Sequence, residues 1–267
     1  MPLDENASRK VMVEIGQRLY QRGLLVGEDG NFSVKIADNE ILITPTGVCK
    51  GYLEPEQIPK VDLEGRMLSG RVKPARDIRM HLAVYQCRPD VRALVHAHPP
   101  VATGFAIAGV PIKITSPEVI FSLRNIGLTE YAAPTTDQVP KVVRKKLSET
   151  PDCDALLLAS HGALTMGTDL HAAFYKMETL EMYLKATLVA RLLGNENTLN
   201  ERQINELKEL MKKGPAASEV GNGEAFNQRE FQQGGSPPGI NRNQIAELVK
   251  AVVFEVLKQM EDGKSGR

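Results

Sequence analysis

Residues 93–100 have the sequence Ala-Leu-Val-His-Ala-His-Pro-Pro, a short apolar run that contains two histidines and ends at two prolines. The run predicts a β-strand. Alternate residues of a strand point to the same face, so both imidazoles can turn toward one ion. Pro99 and Pro100 end the strand and place the pair at the edge of a sheet. By itself, the His96-Ala97-His98 motif leaves both a metal site and two ordinary histidines open.

A third histidine follows another apolar run. Ala155-Leu-Leu-Leu-Ala predicts a buried strand that stops at His161-Gly162, where a side chain emerges from the core at a turn. Three histidines with an open fourth position are typical of catalytic zinc, whereas structural zinc sites are closed. His96, His98 and His161 are therefore predicted metal ligands. A turn histidine that bonds to backbone is the alternative for His161.

Apolar periodicity predicts helices at about residues 78–87, 101–108 and 170–193. Helices thus alternate with short strands, which predicts an α/β domain with a central sheet covered by helices. His81 lies within the first of these helices, and His171 lies near the start of the last. Both are interpreted as structural, because neither has a converging partner at ligand spacing.

Two short loops offer groups that bind an oxyanion. Gly30-Asn31 opens one predicted strand, and Thr44-Pro-Thr-Gly47 closes the next. Backbone N–H groups and hydroxyls at such turns can hold a phosphate. Both pairs are also ordinary turn sequences, so a structural role stays open for each loop.

The composition excludes several classes of partner. The chain has 267 residues, and Lys+Arg and Asp+Glu both number 33. The zero net charge argues against nucleic acid and anionic membrane as partners, and no apolar run is long enough to span a bilayer. The three widely spaced cysteines predict reduced thiols and a cytoplasmic location.

The composition changes after Lys213. Residues 214–240 are rich in Gly, Pro, Ser, Gln and Asn, which predicts a flexible linker. Apolar residues at helical spacing return in residues 241–262 and predict an amphipathic helix. The predicted organisation is a domain over residues 1–213, the linker, and this tethered helix.

Several motifs occur together in one order. They are Gly30-Asn-Phe-Ser, Ile43-Thr-Pro-Thr-Gly, Pro74-Ala-Arg-Asp77 before Met80-His-Leu-Ala-Val-Tyr, Val95-His-Ala-His-Pro-Pro, and Ser160-His-Gly-Ala-Leu. In this order they resemble the class II aldolase/adducin family over about residues 8–210, and above all its sugar-phosphate aldolases for L-fuculose 1-phosphate. The resemblance implies a three-layer α/β/α fold with a mostly antiparallel central sheet, and a homotetramer.

The resemblance also implies roles for site residues. Zn²⁺ would be held by His96, His98 and His161, and the substrate phosphate would lie in the pocket of Gly30, Asn31, Thr46 and Gly47. Asp77 would be the proton shuttle. Arg76 stands where the family's aldolases carry serine, so it either binds phosphate as a charged partner or points to solvent. Tyr131 is a candidate for the tyrosine that assists protonation in those aldolases.

The implied function is a zinc-dependent aldolase that cleaves a deoxyketose 1-phosphate, of fuculose or rhamnulose, to dihydroxyacetone phosphate and lactaldehyde. Asp77 stands where the aldolases carry Glu, and related L-ribulose-5-phosphate 4-epimerases carry Asp there. A 4-epimerase is therefore the first alternative. A non-catalytic adducin-like scaffold is the second, and the three histidines argue against it.

The tethered segment 241–262 resembles the encapsulation peptides that direct enzymes into bacterial microcompartments. This resemblance implies shell or cargo proteins as partners and the microcompartment lumen as the location. Physically, an apolar stripe would dock in a groove of the partner. Packing of this helix on its own tetramer is the alternative, and the mixed charges of its polar face disfavour a membrane surface.

Overall fold

The computed structural model describes residues 3–213, so the predicted linker (214–240) and tethered helix (241–262) lie outside the described residues. The helices are α1 (Glu5–Gln21), α2 (Ile78–Cys87), α3 (Pro100–Ala108), α4 (Gln138–Glu149), α5 (Leu170–Leu192) and α6 (Glu201–Lys213). The strands are β1 (Asn31–Ala37), β2 (Glu40–Ile43), β3 (Lys60–Val61), β4 (Met67–Ser69), β5 (Ala93–Ala97), β6 (Ile126–Leu128), β7 (Ala155–Leu158) and β8 (Gly162–Gly167). Within residues 3–213, no helix has the length and apolar character needed to cross a bilayer.

The eight strands form one sheet in the order β4-β3-β2-β1-β5-β8-β7-β6. Every neighbouring pair is antiparallel except β6 and β7, which are parallel. The predicted α/β fold with a mostly antiparallel central sheet is therefore confirmed.

Helices cover both faces of this sheet. On one face, α1, α3 and α5 pack on residues such as Phe32 and Val95. On the other face, α2 and α4 pack on residues such as Ile43 and Leu94. Because side chains alternate along a strand, His96 of β5 lies on the same face as Leu94, under α2 and α4. The alternation thus decides which helices stand over the histidine.

The ends of three strands meet at one end of the sheet. The first residue of β1, Asn31, is the register partner of His96 near the end of β5. Ala97 of β5 is the partner of Ala163 at the start of β8. Antiparallel pairing therefore brings the start of β1, the end of β5 and the turn between β7 and β8 together. Polar side chains on these three segments can share one site.

The opposite end of β7 is held by a buried carboxylate. The Asp154 side chain is 6% exposed; it accepts from Arg124 Nε at 2.8 Å and Lys176 Nζ at 2.7 Å, and it pairs with Arg88 at 3.1 Å. Burial opposes its ionisation, but the hydrogen bonds from Arg124 and Lys176 prevail and hold the pKa of Asp154 below its ordinary value. This anchor ties β7 to α5 and to the end of α2.

Replacing Asp154 with Asn should lower the free energy of unfolding by about 3–5 kcal/mol at pH 7, because three cations then lose their buried partner. The lowered pKa means that the stabilisation is present above the unfolded pKa of about 3.9 and is lost as pH falls through the folded pKa. Urea unfolding at several pH values measures this. A difference between wild type and variant that stays constant down to pH 2 would contradict the assignment.

Candidate active site

Three imidazoles converge at the end of the sheet described above. One ring nitrogen from each of His96, His98 and His161 lies within 4.8 Å of the others. The three ring centroids are 4.7 to 5.1 Å apart. His96 is buried, whereas His98 and His161 are partly exposed. We call these residues the histidine triad; the structure brings together the three side chains that the sequence singled out.

Hydrogen bonding orients the innermost ring. His96 Nδ1 lies 2.9 Å from the carbonyl oxygen of Ala163, which can only accept, so Nδ1 carries the proton. Its Nε2 then keeps a lone pair, and this atom lies 3.3 Å from Nε2 of His98. A ligand histidine commonly donates its other N–H to a carbonyl in this manner. The arrangement leaves the triad with nitrogen lone pairs available to a cation.

The environment favours neutral imidazoles, the form that binds a metal. Burial lowers the pKa of His96 well below its ordinary value, with further lowering by His161 and His98. Burial also lowers the pKa of His98 and of His161, although Asp29 and Asp77 act in the opposite direction on both. The charges of these two carboxylates therefore act on the pKa values of His98 and His161.

Two glycines make room for this geometry. A Cβ on Gly162 would lie 2.5 Å from Cδ2 of His98 and 2.7 Å from the carbonyl oxygen of Ala97. Gly30 has a φ of +69°, and a Cβ there would lie 2.7 Å from the carbonyl oxygen of His96. Neither position accepts a side chain without movement of backbone next to the triad.

Substituting Gly162 with Ala should weaken metal binding by about tenfold or more and cost about 1–3 kcal/mol of stability, because the His98 ring or its strand must move. Gly104→Ala in α3 is the matched control, since a Cβ there meets nothing within 4 Å. That control should be neutral or slightly stabilising. Metal content by mass spectrometry and thermal unfolding measure both effects, and equal metal affinity in the two variants would refute the steric argument.

A carboxylate stands beside the triad. Asp77 occupies the residue just before α2, and its side chain makes no capping bond to that helix. Instead, Asp77 Oδ2 accepts from Asn31 Nδ2 at 3.1 Å. Asn31 is buried, and its Cα is in register with His96. The predicted base and one predicted phosphate ligand are thus joined directly.

The remaining predicted phosphate residues lie in the adjoining loop. The segment around Thr46 pairs with the segment before α2: Thr46 N–H donates to the carbonyl of Lys73, and Pro45 bridges Pro74. Gly47 is exposed with a φ of +69°. These pairings hold the 44–47 loop against residues 73–76, the segment that carries Arg76 and leads to Asp77.

Arg76 is exposed, and within residues 3–213 no hydrogen bond or ion pair engages it. Nearby, Lys50 is 2% exposed and its Nζ donates to the carbonyl of Glu28. Burial lowers the pKa of Lys50, with Glu28 and Asp29 acting against this effect and Arg76 adding to it. The charge of Arg76 thus acts on Lys50, a second basic residue of this region.

Three contributors to this region escape sequence reasoning. Asp29 Oδ2 lies 3.8 Å from Nδ1 of His98, and Lys50 ties down the loop that carries Asp29. His81 does not join the triad; its two ring nitrogens contact Ser33 and Asn31. The only sequence signal for His81 was its position four residues after Asp77, within the predicted helix.

Tyr131, the candidate for the tyrosine that assists protonation, is 64% exposed.

A separate cleft of about 910 Å³ lies between α5 and residues 115–118, and the triad does not line it. Glu181, one of several glutamates that line this cleft, is 3% exposed and accepts from the backbone N–H groups of Val101 and Ala102. Glu181 thereby caps the start of α3, directly after the His98-Pro99 segment. These hydrogen bonds give Glu181 a structural role next to the histidine triad.

Comparison with known proteins follows the same part of the chain. The family model described as class II aldolase and adducin N-terminal domain matches residues 10–188. An L-fuculose phosphate aldolase of Methanocaldococcus jannaschii is 33% identical over 185 residues, 69% of this chain and 98% of that protein. A 3-oxo-tetronate 4-phosphate decarboxylase of Escherichia coli K12 is 34% identical over 191 residues, 69% of this chain and 88% of that protein. The crystal structure of YgbL from Escherichia coli matches with a TM-score of 0.71 and 32% identity, covering 76% of this chain and 99% of that one.

Proposed function

Because this chain belongs to the class II aldolase and adducin family, we propose that it is a zinc-dependent lyase acting on a small phosphorylated sugar. The family expected from the motifs is confirmed by the match over residues 10–188. The lyase class is confirmed by relatives named as aldolases and as decarboxylases, since both names denote cleavage of a carbon–carbon bond. The observation that carries the proposal is the convergence of the histidine triad beside Asp77.

His96, His98 and His161 are the proposed metal ligands. Three neutral nitrogen donors with space for a further ligand suit Zn²⁺ at a catalytic site. The fit rests on the spacing of the donor atoms, within 4.8 Å of one another, and on the Nδ1 bond of His96 that leaves Nε2 for the cation. When bound, the metal would supply a Lewis acid for the carbonyl oxygen of the substrate.

Asp77 is the proposed proton shuttle. Its carboxylate lies at the start of α2 and makes no capping hydrogen bond to that helix. The Asn31 amide orients it, with Asn31 Nδ2 donating to Asp77 Oδ2 at 3.1 Å. A carboxylate in this place can hold the proton that leaves or returns to the carbon next to the substrate carbonyl. Gly30, Asn31, Thr46, Gly47 and Arg76 are the proposed phosphate ligands, and the charge of Arg76 would replace the serine hydroxyls of the family's aldolases.

The proposed reaction is cleavage of a deoxyketose 1-phosphate, of fuculose or rhamnulose, into dihydroxyacetone phosphate and lactaldehyde. Relatives named L-fuculose phosphate aldolase support it. In this cleavage the substrate hydroxyl loses its proton, the carbon–carbon bond breaks, and the carbon that keeps the electron pair takes up a proton. A 4-epimerase of L-ribulose 5-phosphate stays an alternative because position 77 is Asp.

Decarboxylation of a 3-oxo-tetronate 4-phosphate is a second candidate, favoured by relatives of that name at 33–34% identity. The chemistry is close to aldol cleavage. In both reactions the bond between the α and β carbons of a ketone breaks, and the α carbon keeps the electron pair and needs a proton. The departing fragment is CO₂ in one case and an aldehyde in the other, and CO₂ loss needs no base for a hydroxyl proton.

One set of assays separates these candidates. The zinc-loaded full chain is incubated with fuculose 1-phosphate, rhamnulose 1-phosphate, L-ribulose 5-phosphate and 3-oxo-tetronate 4-phosphate. Lactaldehyde is measured by coupled reduction, CO₂ by trapping, and xylulose 5-phosphate by chromatography. We expect lactaldehyde from a deoxyketose phosphate and its loss after chelation. Release of CO₂ without any lactaldehyde would replace the aldolase with the decarboxylase, and no product together with no bound metal would favour the scaffold alternative.

We also propose a homotetramer and, for residues 241–262, docking to microcompartment shell or cargo proteins. Deleting residues 214–267 should leave turnover unchanged and abolish co-purification with shells. Light scattering of the full and shortened chains measures the oligomer at the same time. Co-purification that persists without the segment would refute the docking role, and a lower oligomeric state would instead favour packing of the helix on its own assembly.

A further inference from the structure

A line of hydrogen bonds leads from the core to the proposed base. Tyr85 Oη lies 2.7 Å from Ser33 Oγ, and Ser33 Oγ lies 2.7 Å from His81 Nδ1. His81 Nε2 lies 2.6 Å from Asn31 Oδ1, and Asn31 Nδ2 donates to Asp77 Oδ2 at 3.1 Å. Asn31 and Ser33 lie on the sheet face under α2, and the other three side chains belong to α2 or to the residue before it, so a single polar line runs between this helix and β1.

Only one set of proton positions satisfies every contact. An ionised Asp77 can only accept, so the Asn31 amide must turn its NH₂ group toward it and its oxygen toward His81. That oxygen requires a proton on His81 Nε2, which leaves Nδ1 to accept from the Ser33 hydroxyl. The oxygen of Ser33 then accepts from Tyr85. Each group donates in the direction of Asp77.

The surroundings prevent other arrangements. His81 and Ser33 are fully buried, and Tyr85 and Asn31 are each 4% exposed, so water cannot easily replace a lost partner. Burial lowers the pKa of His81 to about 4, with Asp77 acting in the opposite direction, which keeps the ring neutral near pH 7. A neutral ring has one donor and one acceptor, as this line requires.

We propose that His81, held as its Nε2–H tautomer by Ser33 and Tyr85, is a positioning residue that locks the Asn31 amide with its N–H groups toward Asp77 and the substrate phosphate. Without this donor, the amide can rotate by half a turn and present its oxygen to the carboxylate and to an anionic ligand. Both contacts would then be repulsive. The catalytic consequence rests on the proposed function; the tautomer and the amide orientation do not.

The tautomer is tested first, on the wild-type protein. Solid-state ¹⁵N NMR of histidine-labelled protein at pH 7 distinguishes Nε2–H, Nδ1–H and doubly protonated rings. The chain has five histidines, and comparison with a His81→Gln sample assigns the signal. We expect a neutral Nε2–H ring for His81. An Nδ1–H or doubly protonated ring would overturn the proposal, whatever the enzyme's substrate proves to be.

The positioning role is tested with two substitutions at one site. Leu in His81→Leu fills similar space without a donor, whereas the amide of Gln in His81→Gln can still donate near the Nε2 position. Binding of inorganic phosphate by calorimetry and the KM for the active sugar phosphate should weaken roughly 10- to 100-fold in His81→Leu, the range typical when a supporting partner of a site is removed. His81→Gln should recover most of this loss, and both variants should keep the metal content of wild type.

The outcomes are distinct. Wild-type binding and turnover in His81→Leu would refute the role, and so would equal impairment of both variants with loss of metal, which indicates a merely structural residue. If His81→Leu does not fold, Tyr85→Phe decides, since it removes only the outermost donor; a several-fold rise in KM supports the proposal and an unchanged KM refutes it. Absence of turnover in wild type would defeat the proposed function alone, because the NMR result stands apart from it.

Discussion

Replacing His161 with Gln is expected to weaken zinc binding more than roughly 100-fold, beyond the effect of losing a supporting partner, because it removes a proposed ligand outright. Turnover should fall at least about 1,000-fold. A Lewis acid contributes several kcal/mol to a developing oxyanion, and each 1.36 kcal/mol is a factor of ten. Metal content by mass spectrometry and kcat with saturating substrate measure the two effects.

His171→Gln is the matched control. His171 lies on α5, where its ring is 6.3 Å from that of Tyr175, and it is not part of the triad. The control should keep both metal and turnover. Stoichiometric zinc in His161→Gln would remove His161 from the ligand set, and full turnover without zinc would end the metal-dependent proposal.

The centre of the site was predictable because strand geometry is strict. His96 lies on β5 and His98 comes one residue after its end, and residues two apart in extended chain point to one face. Their meeting with His161 depends on the order of strands in the sheet. Periodicity alone cannot determine that order; the ordered motifs indicated it, and the pairing of β5 with β8 brings it about.

Helix α4 and strand β8 are among the elements that the sequence-based prediction lacked, and each has a physical reason. Helix α4 contains Pro140, normally a breaker, but in the first turn of a helix the missing N–H has no partner to lose. Strand β8 begins at Gly162 and ends at Gly167, and glycine is a residue type that is uncommon in strands. Gly162 lies where His98 approaches closely, a contact between residues far apart in sequence.

The position of His81 near the site could not be predicted from the sequence. A histidine inside a helix, with no second ligand at metal spacing, gives no reason to expect a role at the site. Its partners Ser33 and Asn31 come from β1, roughly fifty positions away in sequence, and only the packing of α2 on that strand brings them together. The type of chemistry could thus be read from local motifs, whereas the groups that orient the motifs could not.

Asp77→Asn is expected to lower kcat roughly 100- to 10,000-fold, the range for loss of a general acid–base group. The substitution keeps the shape of the side chain, and its oxygen can still accept from Asn31, so the line of hydrogen bonds beneath α2 is retained. The proton-carrying function alone is removed. Zinc content should be unchanged because Asp77 is not a proposed ligand, and this separates the variant from those of the triad.

Asp77→Glu is the companion variant, because it restores a carboxylate one methylene longer, the residue that the family's aldolases carry. If proton transfer is the role of position 77, Glu should retain far more activity than Asn, and the ratio of lactaldehyde to CO₂ release in Asp77→Glu shows whether base reach selects the reaction. A kcat for Asp77→Asn within threefold of wild type would transfer the proton shuttle to another group. Equal losses in Asn and Glu variants would mean that position 77 acts through geometry, with the Asn31 contact at 3.1 Å as the feature to examine.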